Sequence, residues 1–201
     1  KFNTCRFAFF SEYGLRAKIR RRAELEASLA GSFIHYVLEK TAADVAALPS
    51  GNPWRSITKE NIKGIASVHI EEYANSALGG LSDKTPRFVY LFKRLETQVF
   101  LMLEGMVEEF SVSLFRPVCF EKDLSDGSPV FFEYGGEKIP LYGRIDRVDM
   151  WENGGKKYVR VIDYKTGAKK FDYTDVEYGL GIQLLLYLFA LAAGDESIIP
   201  A

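Results

Sequence analysis

The chain has 201 residues, 47% of them hydrophobic, and its 26 lysines and arginines against 27 aspartates and glutamates leave a net charge of −1. That size and apolar share sustain one domain, or one domain with a large insertion, and exclude a disordered or fibrous chain. The near-neutral charge gives no global case for nucleic acid, and the longest apolar run, Leu184 to Ala193, is too short to span a bilayer, so no membrane partner is expected.

Near the start, Phe7, Phe9, Phe10 and Tyr13 lead to Gly14 and then to a basic run, Arg16, Lys18, Arg20, Arg21 and Arg22. A short helix ending at the glycine is expected. The basic run reads either as a phosphate-neutralising patch or as a solvated helix face. A longer helix is predicted over 24–47, with Leu25, Leu29, Phe33, Ile34, Val37 and Leu38 at helical spacing and His35 among them. On base rates a lone helical histidine is a surface or satisfied core residue.

Pro49 to Pro53 reads as a loop and Thr58 to Ser76 as a helix, where a charged outer face accounts for His69 beside Glu71 and Glu72. Gly79 to Thr85 resembles a phosphate loop only superficially, because Asp83 stands where a glycine must precede the lysine. Thr85 as cap and Pro86 as first residue open the longest helix, whose stripe of Phe88, Leu91, Phe92, Leu95, Val99, Met102, Met106 and Phe110 marks core. From Leu114 the period changes towards two. Leu114 to Glu121 and Val130 to Tyr134 are predicted strands, and Glu121 reads equally as a third acidic group near a site or as an exposed strand glutamate. The two cysteines, Cys5 and Cys119, make no disulfide framework and fit a reducing compartment.

The most informative stretch is 139–170. Runs of β-forming residues, Ile139 to Trp151 and Lys157 to Tyr164, flank Asn153-Gly154-Gly155, a tight hairpin turn. With Gly154-Gly155 as the loop, Asp146 faces Asp163; with Asn153-Gly154, it faces Val161 and lies one diagonal step from Asp163 on the same sheet face. Lys165, two residues on, shares that face, with Lys156, Lys157, Lys169 and Lys170 clustered nearby. Two carboxylates roughly 5 Å apart repel unless a cation sits between them, and two oxygen donors suit magnesium or manganese. Asp149 falls on the other face and is expected to be solvated or hydrogen-bonded. A final helix over 176–193 carries Gln183 and Tyr187 at i, i+4.

Taken in order, Gly31 to Glu39 (GSFIHYVLE), Gly143 to Asp149 (GRIDRVD), Val161 to Gly167 (VIDYKTG) and Gln183 to Tyr187 (QLLLY) resemble the RecB-like branch of the PD-(D/E)XK nucleases. The stretch from Cys5 to Leu15, the basic run and the histidine helix are similar, more narrowly, to the C-terminal nuclease domains of AddB subunits in bacterial AddAB helicase-nucleases. The resemblance implies an α/β, restriction-endonuclease-like core: a small mixed sheet with a central hairpin, flanked by helices and carrying a helical insertion. One nuclease domain of a larger protein is expected, with 1–48 its N-terminal helical part, 54–113 the insertion and 114–193 the sheet and final helix.

By the same resemblance His35, Asp146, Asp163 and the main-chain carbonyl of Tyr164 would hold Mg2+ or Mn2+. Lys165 would orient the attacking water and stabilise the pentacovalent phosphate, and Gln183 and Tyr187 would line the site. The implied function is exonucleolytic cleavage of a DNA strand fed by the helicase partner AddA, in double-strand break processing and recombinational repair in the bacterial cytoplasm. Cys5 stands at the first ligand position of the family's [4Fe-4S] cluster; three further cysteines would follow the last helix, and this chain alone does not assemble the cluster. Two other readings are a catalytically inactive nuclease-like module that binds DNA or a partner protein, and a nuclease of similar build outside AddAB.

Overall fold

The structure, a computed structural model, describes residues 5–15, 27–49, 51–125, 130–165, 173–177, 181–195 and 197–200. The basic run from Arg16 to Arg22 and the Asp126-Gly127 turn lie outside the described residues. A single helical turn, α1 (Arg6–Phe9), passes into a π-helical turn over Phe10–Gly14, ending at the glycine as expected.

Three long helices form one layer: α2 (Ala27–Ala46), α4 (Lys59–Leu78) and α5 (Pro86–Val112). Side-chain caps fix two of their starts. Thr58 Oγ1 accepts the Asn61 N–H ahead of α4, and Thr85 Oγ1 accepts the Phe88 N–H ahead of α5, with Pro86 as its first residue. Gly79 closes α4 at φ +70, a left-handed cap, so the Gly79 to Thr85 stretch is a helix-to-helix connection. The predicted α5 stripe is core: Phe92, Val99, Met106 and Phe110 are buried, and they pack with Phe33, Val37 and Leu38 of α2 and Ile62 and Ala66 of α4. Each such side chain contributes about 1.5–3 kcal/mol by leaving water, so this layer carries most of the apolar stabilisation.

Two details depart from the sequence reading. A short helix, α3 (Pro53–Ser56), follows the predicted loop and seats the buried Trp54 against Phe110, ring centroids 5.3 Å apart. His69 does not belong to a charged outer face. It is buried between α4 and α2, with Nε2 2.8 Å from Asp44 Oδ2 and Nδ1 3.0 Å from Glu72 Oε2, and so ties two helices together.

The main sheet comprises β1 (Arg116–Asp123), β4 (Arg144–Asn153), β5 (Lys156–Ile162) and β6 (Ile198–Pro200), adjacent in that order. It is mixed, because β1/β4 and β4/β5 are antiparallel while β5/β6 is parallel. The strand expected over 139–151 is in fact broken. Ile139 belongs to β3 (Glu137–Pro140), which pairs only with β2 (Phe131–Tyr134) in a separate ribbon. Pro140 lacks the N–H a continuing ladder needs, and residues 141–143 leave the sheet before β4 begins. Two further helices, α6 (Tyr173–Glu177) and α7 (Gln183–Gly194), replace the single one predicted over 176–193. Residues of α7 and the sheet share a second, smaller core of Ile145, Val148, Val159, Tyr187 and Ala190.

The hairpin settles the register. Asn153 pairs with Lys156 across Gly154 and Gly155, whose φ values of +59 and +77 suit a tight two-residue turn. Arg147 pairs with Ile162, so the same count carried one step outward sets Asp146 against Asp163, just beyond the last residue of β5.

Candidate active site

Four elements converge where β4 begins and β5 ends. From α2, His35 directs Nδ1 to Glu121 Oε1 at 2.7 Å, and its Nε2 lies 3.6 Å from Asp146 Oδ2. From β4, Asp146 accepts the Tyr164 backbone N–H at 2.6 Å, which fastens the end of β5 to the start of β4. Just past β5, Asp163 accepts from the Lys165 ammonium at 2.8 Å. From β1, Glu121 sits at φ +47, a conformation that interrupts the pleat, where the register of Phe120 with Arg147 and Lys122 with Ile145 brings it alongside Asp146. Its second oxygen faces Arg144 at 3.9 Å.

His35, Glu121 and Asp146 each offer a donor atom within 4.8 Å of the others. Two donors on one ion at bond lengths of about 2.1 Å stand roughly 3–4 Å apart, which matches His35 Nε2 and Asp146 Oδ2. Glu121 meets His35 at hydrogen-bond distance instead, on the nitrogen opposite the one facing Asp146. An imidazole with carboxylate oxygens fits a hard divalent cation of the magnesium or manganese type. Burial pushes the Asp146 carboxyl above its ordinary range; the Tyr164 N–H and His35 pull the other way, while Asp163 and Glu121 push with it. Such a buried carboxylate, crowded by like charge, is poised to take a cation.

The hydrogen bond to Asp163 raises the Lys165 ammonium above the usual lysine value, although partial burial opposes the charge. Lys165 is therefore a cationic donor at neutral pH and a poor proton acceptor. On α7, Gln183 Nε2 donates to the Tyr187 hydroxyl at 3.0 Å, so the predicted i, i+4 pair is formed. Tyr187 packs over Gly143, just ahead of β4: a Cβ there would lie 2.7 Å from the Tyr187 ring and hydroxyl. A cleft of about 350 Å³ lined by Leu124, Leu141, Tyr142, Gly181, Gln183 and Tyr187 among others opens at the start of α7; His35, Glu121, Asp146, Asp163 and Lys165 are not among its lining residues.

Behind the site lies a buried ionic network on the opposite face of β4. Asp149, fully buried, meets Arg147 Nε and Nη2 at 2.9 Å and Arg160 Nε at 2.8 Å. Both arginines also pair with Glu109 of α5. Sequence reasoning put Asp149 on this face and expected it to be solvated or hydrogen-bonded; the second alternative holds. The signal for its partners was available, because the hairpin register places Arg160 directly across from Asp149. The sequence leaves Glu121 open between a site carboxylate and an exposed strand residue, and Glu109 lies on a helix whose pattern marks only core.

Among the described residues the cysteines do not form a shared site: Cys5 is exposed at the start of α1, and Cys119 is half-buried on β1, where burial pushes its thiol up. Among the described residues no helix is long and apolar enough to cross a membrane.

A carboxylate pair and a lysine stand at the end of the central hairpin, with a helical histidine opposite and a mixed sheet packed by helices. Residues 1–200 match the PD-(D/E)XK nuclease superfamily, and the chain belongs to that family. Three curated relatives are each named as one subunit, the one designated B, of an ATP-dependent helicase/deoxyribonuclease. That of Caldanaerobacter subterraneus subsp. tengcongensis is 37% identical over 209 residues, covering 100% of this chain and 18% of the relative. Those of Clostridium tetani and Clostridioides difficile are 33% and 32% identical, covering 95% and 98% of this chain and 17% and 18% of the relatives. The chain thus spans less than a fifth of the length of the proteins it resembles.

Proposed function

We propose that this chain is the catalytic module of a magnesium- or manganese-dependent deoxyribonuclease that hydrolyses phosphodiester bonds in a DNA strand. The observation that carries the reading is the joint placement of His35 Nε2 3.6 Å from Asp146 Oδ2 and of Lys165 on Asp163 at the facing strand end. His35, Asp146, Asp163 and the Tyr164 main-chain carbonyl would hold the cation. When bound, it supplies Lewis-acid polarisation of a phosphoryl oxygen and lowers the pKa of a water molecule.

The chain's own residues do the rest. Lys165 keeps its proton, so its ammonium orients the attacking water through hydrogen bonding and offsets negative charge as the phosphorus becomes pentacovalent. Asp163 holds that ammonium in place at 2.8 Å. Gln183 fixes the Tyr187 hydroxyl, and the pair forms the wall along which the strand would lie. The water oxygen bonds to phosphorus as one phosphorus–oxygen ester bond breaks; the attacking water gives up a proton to solvent and the departing oxygen takes one from solvent, leaving a phosphate and a hydroxyl terminus.

Within a larger protein this module would act as an exonuclease on single strands delivered by a helicase partner of the AddA type. Processing of double-strand breaks for recombinational repair in the bacterial cytoplasm follows from that placement. Cys5 would supply one ligand of a [4Fe-4S] cluster. Four thiolates hold such a cluster and the chain carries two cysteines, so these residues alone do not fit it and no step runs through it.

The test is cleavage of linear single-stranded DNA with Mg2+, Mn2+ or chelator, for the wild type and for Asp163→Ala and Lys165→Ala. Metal-dependent cleavage lost in both variants, with circular dichroism unchanged, is expected. A folded wild type that binds DNA but is inert with either metal would instead favour the inactive binding module.

A further inference from the structure

Tyr164 follows the end of β5, its ring packs edge-on against His35 with centroids 6.1 Å apart, and its hydroxyl reaches past the site to β4 and α5. Its phenol accepts a hydrogen bond from Arg147 Nη1 at 3.0 Å, and its own hydroxyl proton is directed at Met106 Sδ of α5, 3.8 Å away. The Arg147 guanidinium lies 5.9 Å from the Tyr164 ring centroid and 5.2 Å from that of Phe110. Arg147 is 4% exposed; its Nη2 donates to Asp149 Oδ2 and faces Glu109, while its Nε lies 2.9 Å from Asp149 Oδ1 as an ion pair without a hydrogen bond. The far end of Tyr164 is thereby locked to β4 and α5. Its near end, the backbone N–H, holds Asp146 Oδ2 at 2.6 Å.

We infer that Arg147 is a positioning residue for the metal site: through the Tyr164 phenol it fixes the Tyr164 main chain, and with it the orientation of the Asp146 carboxylate. This rests on the metal-dependent reading given above. The chemistry favours arginine over lysine at this position. A planar guanidinium can satisfy the phenol and a bidentate carboxylate at once, whereas an ammonium is a point donor. The helical insertion enters the same chain of contacts through Glu109, which also pairs with Arg160 across from Asp149. Residues that orient metal ligands from behind typically change metal affinity by about 10–100-fold when altered.

Tyr164→Phe tests this with the smallest change, since it removes one oxygen and leaves the ring packing. Mn2+ affinity is read by electron paramagnetic resonance titration, and kcat and KM on single-stranded DNA are measured in parallel, well below the melting temperature. The expected result is a Kd for Mn2+ raised about 10-fold and a lower kcat, with KM for DNA unchanged. Arg147→Lys breaks the same phenol contact as well as part of the Asp149 pairing, so it should lower stability too, but adding Tyr164→Phe to it should raise the Mn2+ Kd little further, because the phenol contact is already lost. A merely structural tyrosine would lower the melting temperature and leave Mn2+ affinity where it was. Unchanged Mn2+ affinity in folded Tyr164→Phe would overturn the inference alone. A wild type that binds no Mn2+ would overturn the underlying reading and the inference with it.

Discussion

The Asp146→Asn substitution separates folding from metal binding at a single atom. Asp146 is 8% exposed, accepts the Tyr164 N–H at 2.6 Å and faces His35 Nε2 at 3.6 Å. Burial raises its carboxyl pKa above the ordinary value of 3.8, so the folded protein holds that proton more firmly than the unfolded chain. Stability contributed by this group therefore falls as pH rises from the unfolded value through the folded one, and above that window the ionised carboxylate costs folding free energy. Asparagine keeps the shape and an oxygen for the Tyr164 N–H while removing the charge. Metal-free Asp146→Asn should melt higher than the wild type at pH 7. With Mn2+ at about 100 times its Kd the wild type should gain about 2.7 kcal/mol. At 2–4 °C per kcal/mol for a chain of this size, that is a rise of roughly 5–10 °C, and the variant should gain almost none. Scanning calorimetry with and without Mn2+ measures both. A variant that melts lower without metal, or that gains the full wild-type shift with it, would refute the reasoning.

Glu121→Gln leaves a hydrogen-bonding side chain but withdraws the negative charge from His35 Nδ1, and a Kd for Mn2+ raised about 10-fold or more is expected by titration; an unchanged Kd would remove Glu121 from the site. Lys165→Ala should lower single-turnover cleavage by about 100–1000-fold while Mn2+ binds at least as tightly, and weaker Mn2+ binding would mean that the lysine organises the site rather than serving the phosphate. Asp149→Ala strands two arginines in the interior and should cost about 3–5 kcal/mol in urea unfolding; a loss below 1 kcal/mol would show that water reaches the network. Gly143→Ala places a Cβ 2.7 Å from the Tyr187 ring and should cost about 1–3 kcal/mol and slow cleavage by displacing α7, an account that wild-type stability and activity in the variant would end.

The hairpin was legible because its chemistry is local. Two glycines fix the turn, the turn fixes the register, and the register alone brings Asp146 to Asp163 without reference to any other element. Two of the long helices were legible for the same reason, since Thr58 stands at the start of one and Thr85 with Pro86 opens the other. What escaped depends on contacts distant in sequence. The strand β6 pairs with Lys157 to Val159 only after some forty intervening residues, and three residues carry too little pattern to announce it. His69 carries the same local signal of a histidine beside carboxylates whether it faces solvent or another helix; Asp44, 25 residues earlier, decides. Glu121 is the hardest case, because its positive φ breaks the alternation by which strand faces are assigned.

That exception points to how the fold sustains its site. Glu121 in an unfavourable backbone conformation, a buried Asp146 whose charge is disfavoured, and like charges gathered at one strand end all work against folding. None of the apolar residues of the larger core is needed to hold a ligand, and that core belongs to α2, α4 and α5. His35 extends from α2, the helix whose neighbouring Phe33, Val37 and Leu38 are fully buried in that core. Its position is thus set by packing that involves neither a cation nor a nucleic-acid strand. Helices α4 and α5 then support the candidate site: they anchor α2 through the core, and through Glu109 α5 reaches Arg147 and Arg160. Glu109→Ala should therefore weaken Mn2+ binding at the candidate site, read by titration, before it unfolds the sheet, read by circular dichroism.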